Sequence, residues 1–420
     1  MNSFRDTTLR TPDTIVPVSD HVDVRSCTIV FAGRRDNYEV PKAFRDAGWN
    51  VTLVTDVAGA AWLRRLPLPR SIQLANEKRS MGLEGINIVT PLDVTFERIA
   101  GRLLRRPASV WSAERLGRAA AAVANRRGGV LISYSTYAYE AFPRCGPGIR
   151  RILFQMHPHA DACVNVVESL STDRRGRDKN IEWEFLLPER SFQHYRDEWR
   201  LAEGILSAST YTKRTLVEAG ANPARIAVIP YGALPMEELP REEKFDQPLR
   251  LLFVGSFVRR KGALVLAEAA RQLRDSGVEF HACGRGLVEG EVMTAFREAN
   301  FQIHWNCPDM ELQRLRARCD LFVFPSLLEG FAHVVLESMN AGLPVIATDR
   351  TCAPDLVEEG RHGWVVPAGD VHSLVTRLRW CVAHKEKVRR MRSEVRRRAR
   401  EYDWLRFRRD VVSSTVALLQ

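Results

Sequence analysis

The feature that most constrains the fold is a strand–helix alternation that occurs twice along the chain. Short apolar runs alternate with segments of helical spacing, beginning with Cys27–Gly33, Val40–Gly48 and Val51–Thr55. A strand, a helix and a second strand at this spacing form a βαβ unit with parallel strands. The alternation starts again at Leu251–Gly255 and continues to a short strand at Gly363–Pro367. The sequence therefore predicts two doubly wound α/β domains.

A change in composition marks the boundary between these domains. Residues 233–249 contain three prolines and several acidic side chains, which is typical of a linker. A chain of 420 residues is long enough for two such domains. We expect four parts: a tail over residues 1–25, an N-terminal domain over 26–235, a C-terminal domain over 236–395 and a final helix over 396–420.

Several classes of protein are excluded by what the sequence lacks. No run approaches the ~18 consecutive apolar residues of a membrane helix, and the first residues have no apolar run of a secretory signal. The eight cysteines are scattered, without the Cys-x-x-Cys spacing of zinc or dithiol sites. Unpaired thiols are typical of a reducing compartment, so we expect a cytoplasmic protein.

The net charge of +11 is concentrated in two segments. Residues 98–127 contain eight arginines and one acidic residue, and residues 385–409 contain twelve cations and four acidic residues. Basic, partly amphipathic segments bind anionic membrane surfaces, and solvated helix faces have the same composition. No nucleic-acid-binding module is present, so no nucleic acid is expected as a partner.

The densest group of polar residues lies where a predicted strand meets a predicted helix. The strand ends at Pro325 and the helix begins near Ala332. Glu329 lies just before this helix, and Glu337 lies about two helical turns after Glu329. The start of a helix attracts anions, and two carboxylates together accept hydrogen bonds from the hydroxyls of a sugar or ribose. The alternative is that Glu329 only caps the helix and that Glu337 lies on a solvated helix face, because both arrangements have the same spacing.

The residues around these carboxylates favour the first interpretation. The segment Phe324–Gly342 resembles a signature of family 4 retaining glycosyltransferases, in which seven residues separate two glutamates. Pro325-Ser326 precedes the first glutamate, and the sequence Ala-Gly-Leu-Pro-Val-Ile-Ala-Thr-Asp follows the second at Ala341–Asp349. The resemblance is strong over residues 200–370. It implies a GT-B fold, in which two Rossmann-like domains face a central cleft and a C-terminal helix packs back on the N-terminal domain.

The resemblance also implies how a nucleotide-sugar donor is bound. Glu329 would contact hydroxyls of the donor sugar, and Glu337 would hold the ribose. The backbone amides of Gly330, Phe331 and Ala332 would meet the sugar and its diphosphate, as helix N-termini do. The family usually has glycine where this chain has Ala332, and a methyl group there would narrow the sugar pocket.

A basic loop follows the first strand of the second domain. Its cations would stabilise the diphosphate leaving group, and the resemblance places Lys261 in the phosphate-binding position. After Gly255, where the family has arginine, this chain has Ser256. We hypothesise that Arg259 or Arg260 supplies the missing charge. A solvated basic turn is the alternative.

Two further turns of the second domain would border the nucleotide base. The glycines of Cys283–Gly286 lack the Gly-x-Gly-x-x-Gly spacing of a dinucleotide-binding loop, so the sequence predicts a tight turn. The resemblance places this turn, with Gly284, and the loop Cys307–Met310, with Pro308, beside the base.

The N-terminal domain would hold the acceptor. His157 and His159 follow a predicted strand, so we expect both to point at the cleft. The resemblance implies a histidine beside the reacting sugar, and His157 matches that position best. A hydrogen-bonded loop histidine is the alternative for either one. The family's glycine-rich first loop is replaced by Arg34, Arg35 and their neighbours, so we hypothesise a phosphorylated or acidic acceptor.

These observations predict an enzyme that moves a sugar from a nucleotide-sugar to a glycan or lipid-linked acceptor in polysaccharide or glycoconjugate biosynthesis. No Asp-x-Asp sequence occurs, so we expect neither a metal nor another cofactor. The enzyme would act in the cytoplasm, including the inner face of the membrane. Two alternatives stay open: a nucleotide-sugar epimerase of the same fold, and a non-catalytic nucleotide-sugar sensor or scaffold.

Overall fold

The computed structural model describes residues 25–56, 80–103, 110–170, 189–240 and 247–420, together with positions 70, 74 and 77. The tail predicted over residues 1–25 lies outside the described residues, apart from Arg25.

The N-terminal part of the chain forms a parallel sheet of seven strands in the order β3-β2-β1-β4-β5-β6-β7. The strands are β1 Ser26–Val30, β2 Asn50–Val54, β3 Asn87–Val89, β4 Val130–Tyr134, β5 Arg150–Gln155, β6 Gly204–Ser207 and β7 Ile226–Val228. The described helices are α1 Glu39–Asp46, α2 Leu92–Leu103, α3 Val110–Arg127, α4 Ala138–Ala141, α5 Ala160–Leu170, α6 Glu189–Asp197 and α7 Thr210–Glu218. Every residue of β1 and β4 is buried, as expected for a sheet covered on both faces.

The C-terminal part forms a second parallel sheet, of six strands in the order β10-β9-β8-β11-β12-β13. The strands are β8 Leu249–Phe257, β9 Val278–Gly286, β10 Gln302–Trp305, β11 Leu321–Phe324, β12 Val345–Thr348 and β13 Gly363–Val366. The helices are α8 Ala263–Gln272, α9 Glu291–Glu298, α10 Asp309–Arg318, α11 His333–Asn340, α12 Ala353–Leu356, α13 Val371–Ala383, α14 Lys385–Arg390, α15 Arg392–Arg400 and α16 Trp404–Leu419.

The strand order creates a switch point in each sheet. Strand β1 lies between β2 and β4, and β8 lies between β9 and β11. The chain therefore leaves these neighbouring strands in opposite directions and opens a crevice at their carboxyl ends, where α/β proteins bind ligands. Two doubly wound α/β domains are present, as predicted. A short 3₁₀ turn, Glu198–Leu201, leads into β6.

The last helix returns to the N-terminal sheet. Residue Ala233 of the linker pairs with Asp403, so the chain crosses between the domains twice at one place. Helix α16 then packs on α1 and β6. Its Phe407 is buried and stacks on Tyr231, with ring centroids 5.4 Å apart. Arg408 pairs with Glu39 at 2.6 Å, which fixes α16 to α1.

Much of the positive charge of residues 385–409 is used inside the protein. Arg389 is buried and pairs with Asp320 at 3.0 Å. Arg392 donates to the carbonyl of Cys319 and Arg396 to that of Asn340, at the carboxyl ends of α10 and α11. Cations stabilise these helix ends. Among the described helices, none has the length and hydropathy to cross a bilayer.

Candidate active site

A cavity of about 580 Å³ lies between the two domains, at the carboxyl ends of their strands. From the N-terminal domain it is lined by Arg35, Asp36, Met156, His157 and Tyr231. From the C-terminal domain its lining includes nine residues that the sequence singles out: Gly255, Ser256, Lys261, Gly284, Glu329, Gly330, Phe331, Ala332 and Glu337. The structure therefore gathers most of the candidate residues around one space.

Three hydrogen bonds hold Glu329 in this cavity. Its Oε1 accepts hydrogen bonds from Lys261 Nζ at 2.7 Å, Ser326 Oγ at 2.7 Å and Arg260 Nη1 at 3.0 Å. Burial raises the pKa of the Glu329 carboxyl, but the charges of Lys261 and Arg260 outweigh burial and bring that pKa down to about 2. Glu329 is therefore ionised near neutral pH.

Backbone packing brings Lys261 to Glu329. Lys261 ends the 3₁₀ turn Arg259–Lys261, and Gly262 follows with a φ of 73°. A Cβ atom on Gly262 would lie 1.9 Å from the carbonyl oxygen of Pro325. Only glycine permits both this φ and this contact, so the loop after β8 rests directly on the end of β11.

The start of α11 is pressed against the N-terminal domain. A Cβ atom on Gly330 would lie 1.7 Å from the carbonyl oxygen of Met156. The carbonyl of Gly330 accepts hydrogen bonds from Ser209 Oγ at 2.5 Å and Thr212 Oγ1 at 3.2 Å. These contacts join the segment before α11 to the N-terminal domain.

Ala332 has left-handed backbone angles, with φ at 74° and ψ at 71°. A side chain in this region costs about 1–2 kcal/mol relative to right-handed backbone. The left-handed conformation is the physical reason for the glycine that the sequence resemblance leads us to expect here. The methyl group of Ala332 lies at the cavity, where the sequence predicts a narrower sugar pocket.

Glu337 is oriented by a residue that sequence reasoning missed. Arg316 donates from Nη2 to Glu337 Oε2 at 2.6 Å. The Arg316 side chain is buried, whereas that of Glu337 is 40% exposed and lines the cavity. Arg316 lies on α10, which carries several arginines, and the sequence gives no sign that this one reaches α11.

Arg259, Arg260 and Pro308 lie outside the cavity lining. Arg259 donates to Glu291 at 2.8 Å and to the carbonyl of Leu170 at 2.6 Å. The 3₁₀ turn directs Arg260 inward, where it is 1% exposed and donates to the carbonyl of Leu328. Arg259, which pairs with Glu291, does not fit the hypothesis that it replaces the charge missing at Ser256. For Arg260 the hypothesis stays a prediction, because its Nη1 donates to Glu329 Oε1 at 3.0 Å. Arg35 and Arg285 are cations that do line the cavity.

The two histidines after β5 have different surroundings. His157 lines the cavity, and burial, with smaller effects from Arg35 and Arg260, lowers its pKa to about 4. Its imidazole is therefore neutral near pH 7. The expectation that His159 also faces the cleft is wrong. His159 is buried just before α5, with Nε2 2.9 Å from the carbonyl oxygen of Arg196.

Asp36 is a further cavity residue that the sequence analysis missed. It begins a run of three left-handed residues: φ is 46° at Asp36, 51° at Asn37 and 64° at Tyr38. Its carboxylate accepts a hydrogen bond from Tyr134 at 3.0 Å, and burial raises its pKa. Such strain clusters at functional sites. An Asp-Asn pair in the loop between β1 and α1 was the available signal, because both residues tolerate positive φ.

The C-terminal half of the chain matches a known family of enzymes. The match is to glycosyl transferases group 1, over residues 236–398. The amylovoran biosynthesis glycosyltransferase AmsK of Erwinia amylovora is 30% identical over 205 residues, which cover 44% of this chain and 50% of AmsK. The chain spans about half the length of the curated relatives it matches.

Solved structures extend the likeness to the whole fold. Sucrose-phosphate synthase from Thermosynechococcus elongatus has a TM-score of 0.62 at 15% identity, over 94% of this chain and 99% of that one. Anabaena HepE, solved in complex with UDP and glucose, has a TM-score of 0.58 at 14% identity, over 94% and 100%. The chain therefore has the GT-B fold.

The group 1 match covers only one wall of the cavity. It includes Lys261, Glu329, Glu337 and their partner Arg316. The opposite wall, with Asp36 and His157, lies outside the matched residues. The group 1 match therefore supports the assignment of residues on the C-terminal wall. The assignment of residues on the N-terminal wall depends on the structure alone.

Proposed function

We propose that the protein is a retaining glycosyltransferase that takes a sugar from a nucleotide-diphosphate sugar. The observation that carries this proposal is the pair of fixed carboxylates on one cavity wall. Glu329 is ionised and held by Lys261, and Glu337 is oriented by Arg316. The group 1 match and the likeness to AmsK support the activity, and the UDP and glucose complex of HepE supports the class of donor.

In this proposal the donor lies along the start of α11. The carboxylate of Glu329 accepts hydrogen bonds from hydroxyls of the sugar, and Glu337 accepts them from the ribose. The cation of Lys261 and the backbone amides at the start of α11 stabilise the charge that grows on the diphosphate as the glycosidic bond breaks. These fixed groups can perform the charge stabilisation for which other glycosyltransferases use a metal ion, so we propose a metal-independent enzyme.

The acceptor would lie against the N-terminal wall of the cavity. The neutral imidazole of His157 can donate one hydrogen bond and accept another, which suits hydroxyl groups of the reacting sugars. Asp36 can accept a hydrogen bond from the attacking hydroxyl. Arg35 would favour a phosphorylated or acidic acceptor, and neutral acceptors that compete equally well would contradict this assignment.

We propose a role in the biosynthesis of a cell-surface polysaccharide or glycoconjugate, in the cytoplasm and, for a lipid-linked acceptor, at the inner face of the membrane. The name of AmsK supports the pathway class. Arg126 and Arg127, exposed at the end of α3, are part of the basic segment 98–127. Sedimentation with anionic vesicles at low salt tests membrane attachment, and absence from the vesicle pellet would contradict it.

The activity is tested by product analysis with a panel of UDP-, GDP-, ADP- and dTDP-sugars. We expect one donor to be consumed only when an acceptor is present, with the anomeric configuration retained. Conversion of the donor alone would instead indicate an epimerase. Glu329→Ala should abolish transfer while circular dichroism shows an intact fold. A wild-type protein that leaves every donor unchanged would contradict the proposal.

A further inference from the structure

A second group of chemically reactive side chains lies on the outer edge of the C-terminal sheet. His304 is on the edge strand β10, Cys307 is in the loop after it, and Glu311 is in the first turn of α10. Each offers one ligand atom, and the three atoms lie within 4.8 Å of one another. Cys307 and His304 are half-buried and Glu311 is exposed, so the group is open to solvent.

A neighbouring histidine orients His304. Nδ1 of His281, on the adjacent strand β9, lies 3.2 Å from Nε2 of His304. Nε2 of His281 faces Glu279 at 3.8 Å. When His304 donates its Nε2 proton to His281, Nδ1 of His304 keeps a lone pair. Histidines that bind metals typically donate their other N–H to a fixed partner in this way.

The chemistry of the three ligands suits one class of ion. Imidazole nitrogen, thiolate sulfur and carboxylate oxygen are the donors that Zn²⁺ binds in proteins, and hard cations such as Mg²⁺ avoid sulfur. A thiolate and a carboxylate balance the two charges of the ion.

We propose that His304, Cys307 and Glu311 bind a divalent transition metal ion of the zinc class, with His281 as the positioning residue. Three protein ligands leave a fourth position for water or a ligand from outside the chain. The site goes beyond the proposed transfer reaction, in which neither His304 nor Glu311 has an assigned role. Cys307 also lines the cavity, so a bound ion would fix the loop that the family resemblance places beside the nucleotide base.

Another described group of metal-ligating side chains is less suited to a cation than the His304 group. Glu114, Glu140 and His194 also converge. There, however, Arg118 contacts both carboxylates and Arg144 pairs with Glu140 at 2.9 Å. Guanidinium groups already occupy those carboxylates and repel a cation. At the His304 group, Arg318 lies near enough for its charge to act on His304, but among the described residues no arginine is ion-paired to Glu311.

Cobalt titration of the full chain, kept reduced and freed of metal by a chelator, tests the site without any donor or acceptor. We expect one equivalent of Co²⁺ to give a thiolate-to-cobalt charge-transfer band and tetrahedral visible bands, both removed by added Zn²⁺. Cys307→Ser should abolish the charge-transfer band. Cys145→Ser is the matched control, because this half-buried cysteine lies away from the cluster, and it should keep the band.

The positioning role of His281 has its own readout. His281→Gln should retain the charge-transfer band but weaken metal binding about 10- to 100-fold, the usual effect of losing a hydrogen-bond partner of a metal ligand. Absence of the band from folded wild-type protein, or an unchanged band in Cys307→Ser, would overturn the metal site. Either result leaves the glycosyltransferase assay unaffected, so the two proposals fail separately.

Discussion

Lys261, Arg260 and Ser326 all donate to one oxygen of Glu329, and this cluster sets the charge of the cavity wall. Two cations face one carboxylate, so the cluster keeps a net positive charge of about one. A diphosphate placed beside it would meet Lys261 from the side opposite to Glu329. In the proposed complex, the phosphate would supply the second anion and offset part of the free energy needed to bury this charge.

Replacing the strained residue of the site should stabilise the fold. We expect Ala332→Gly to raise the free energy of unfolding by about 0.5–1 kcal/mol. The left-handed conformation costs a side chain about 1–2 kcal/mol, and the greater freedom of glycine in the unfolded chain offsets part of that gain. Denaturant titration measures the change. Ala341→Gly is the control, since its φ of −73° carries no such strain, and it should destabilise. A destabilised Ala332→Gly would contradict the assignment of strain.

The half-buried His157 should make stability depend on pH. Its pKa is about 4 in the folded protein and near 6.5 when unfolded, so the unfolded chain binds more protons between these values. Stability should therefore fall as the pH drops from 6.5 towards 4. Between pH 6 and 5 we expect His157→Gln to remove about 1 kcal/mol per pH unit of this dependence. His372→Gln, at an exposed position, is the control, and equal slopes in both variants would contradict the prediction.

At the scale of elements, the site depends on where loops and helix starts meet. The sequence predicts the strand before Glu329, the helix after it and the spacing to Glu337, because these follow from local apolar patterns and helical geometry. It does not predict that Arg316 reaches Glu337, that Arg260 turns inward or that His159 is buried. Those outcomes depend on packing between segments far apart in the chain, which a local pattern does not contain.

Gly330 provides a test of the contact between the two domains. We expect Gly330→Ala to push α11 away from Met156, because the new Cβ would lie 1.7 Å from a backbone oxygen. The variant should lose at least about 1–3 kcal/mol of stability, the usual effect of overpacking, and small-angle scattering should show a larger radius of gyration. Gly148→Ala is the control, since a Cβ there meets nothing within 4 Å. An unchanged radius and stability would contradict the close contact.

Over the whole molecule, the net charge of +11 suggests an anionic partner, but several of the arginines stabilise the fold. In residues 385–409, Arg389, Arg392 and Arg396 hold helix ends and a buried carboxylate, and Arg408 fixes α16 to α1. A sequence count cannot separate such arginines from solvated ones, because both leave the same composition.

The two-domain architecture was predictable because strand–helix alternation is local. The strained loop at Asp36 was not, since its role depends on Tyr134, which is 98 residues away along the chain.

In the proposed function, the cavity binds a nucleotide diphosphate through Lys261. Isothermal titration calorimetry with UDP, GDP, ADP and dTDP tests it most directly. We predict that one nucleotide binds to wild type at one site and that Lys261→Ala weakens its binding at least about 10-fold, the effect of losing a charged hydrogen bond of about 1.5–3 kcal/mol. The exposed control Lys387→Ala should bind as wild type does. Equal affinities in wild type and Lys261→Ala, or no binding of any nucleotide to wild type, would contradict the account.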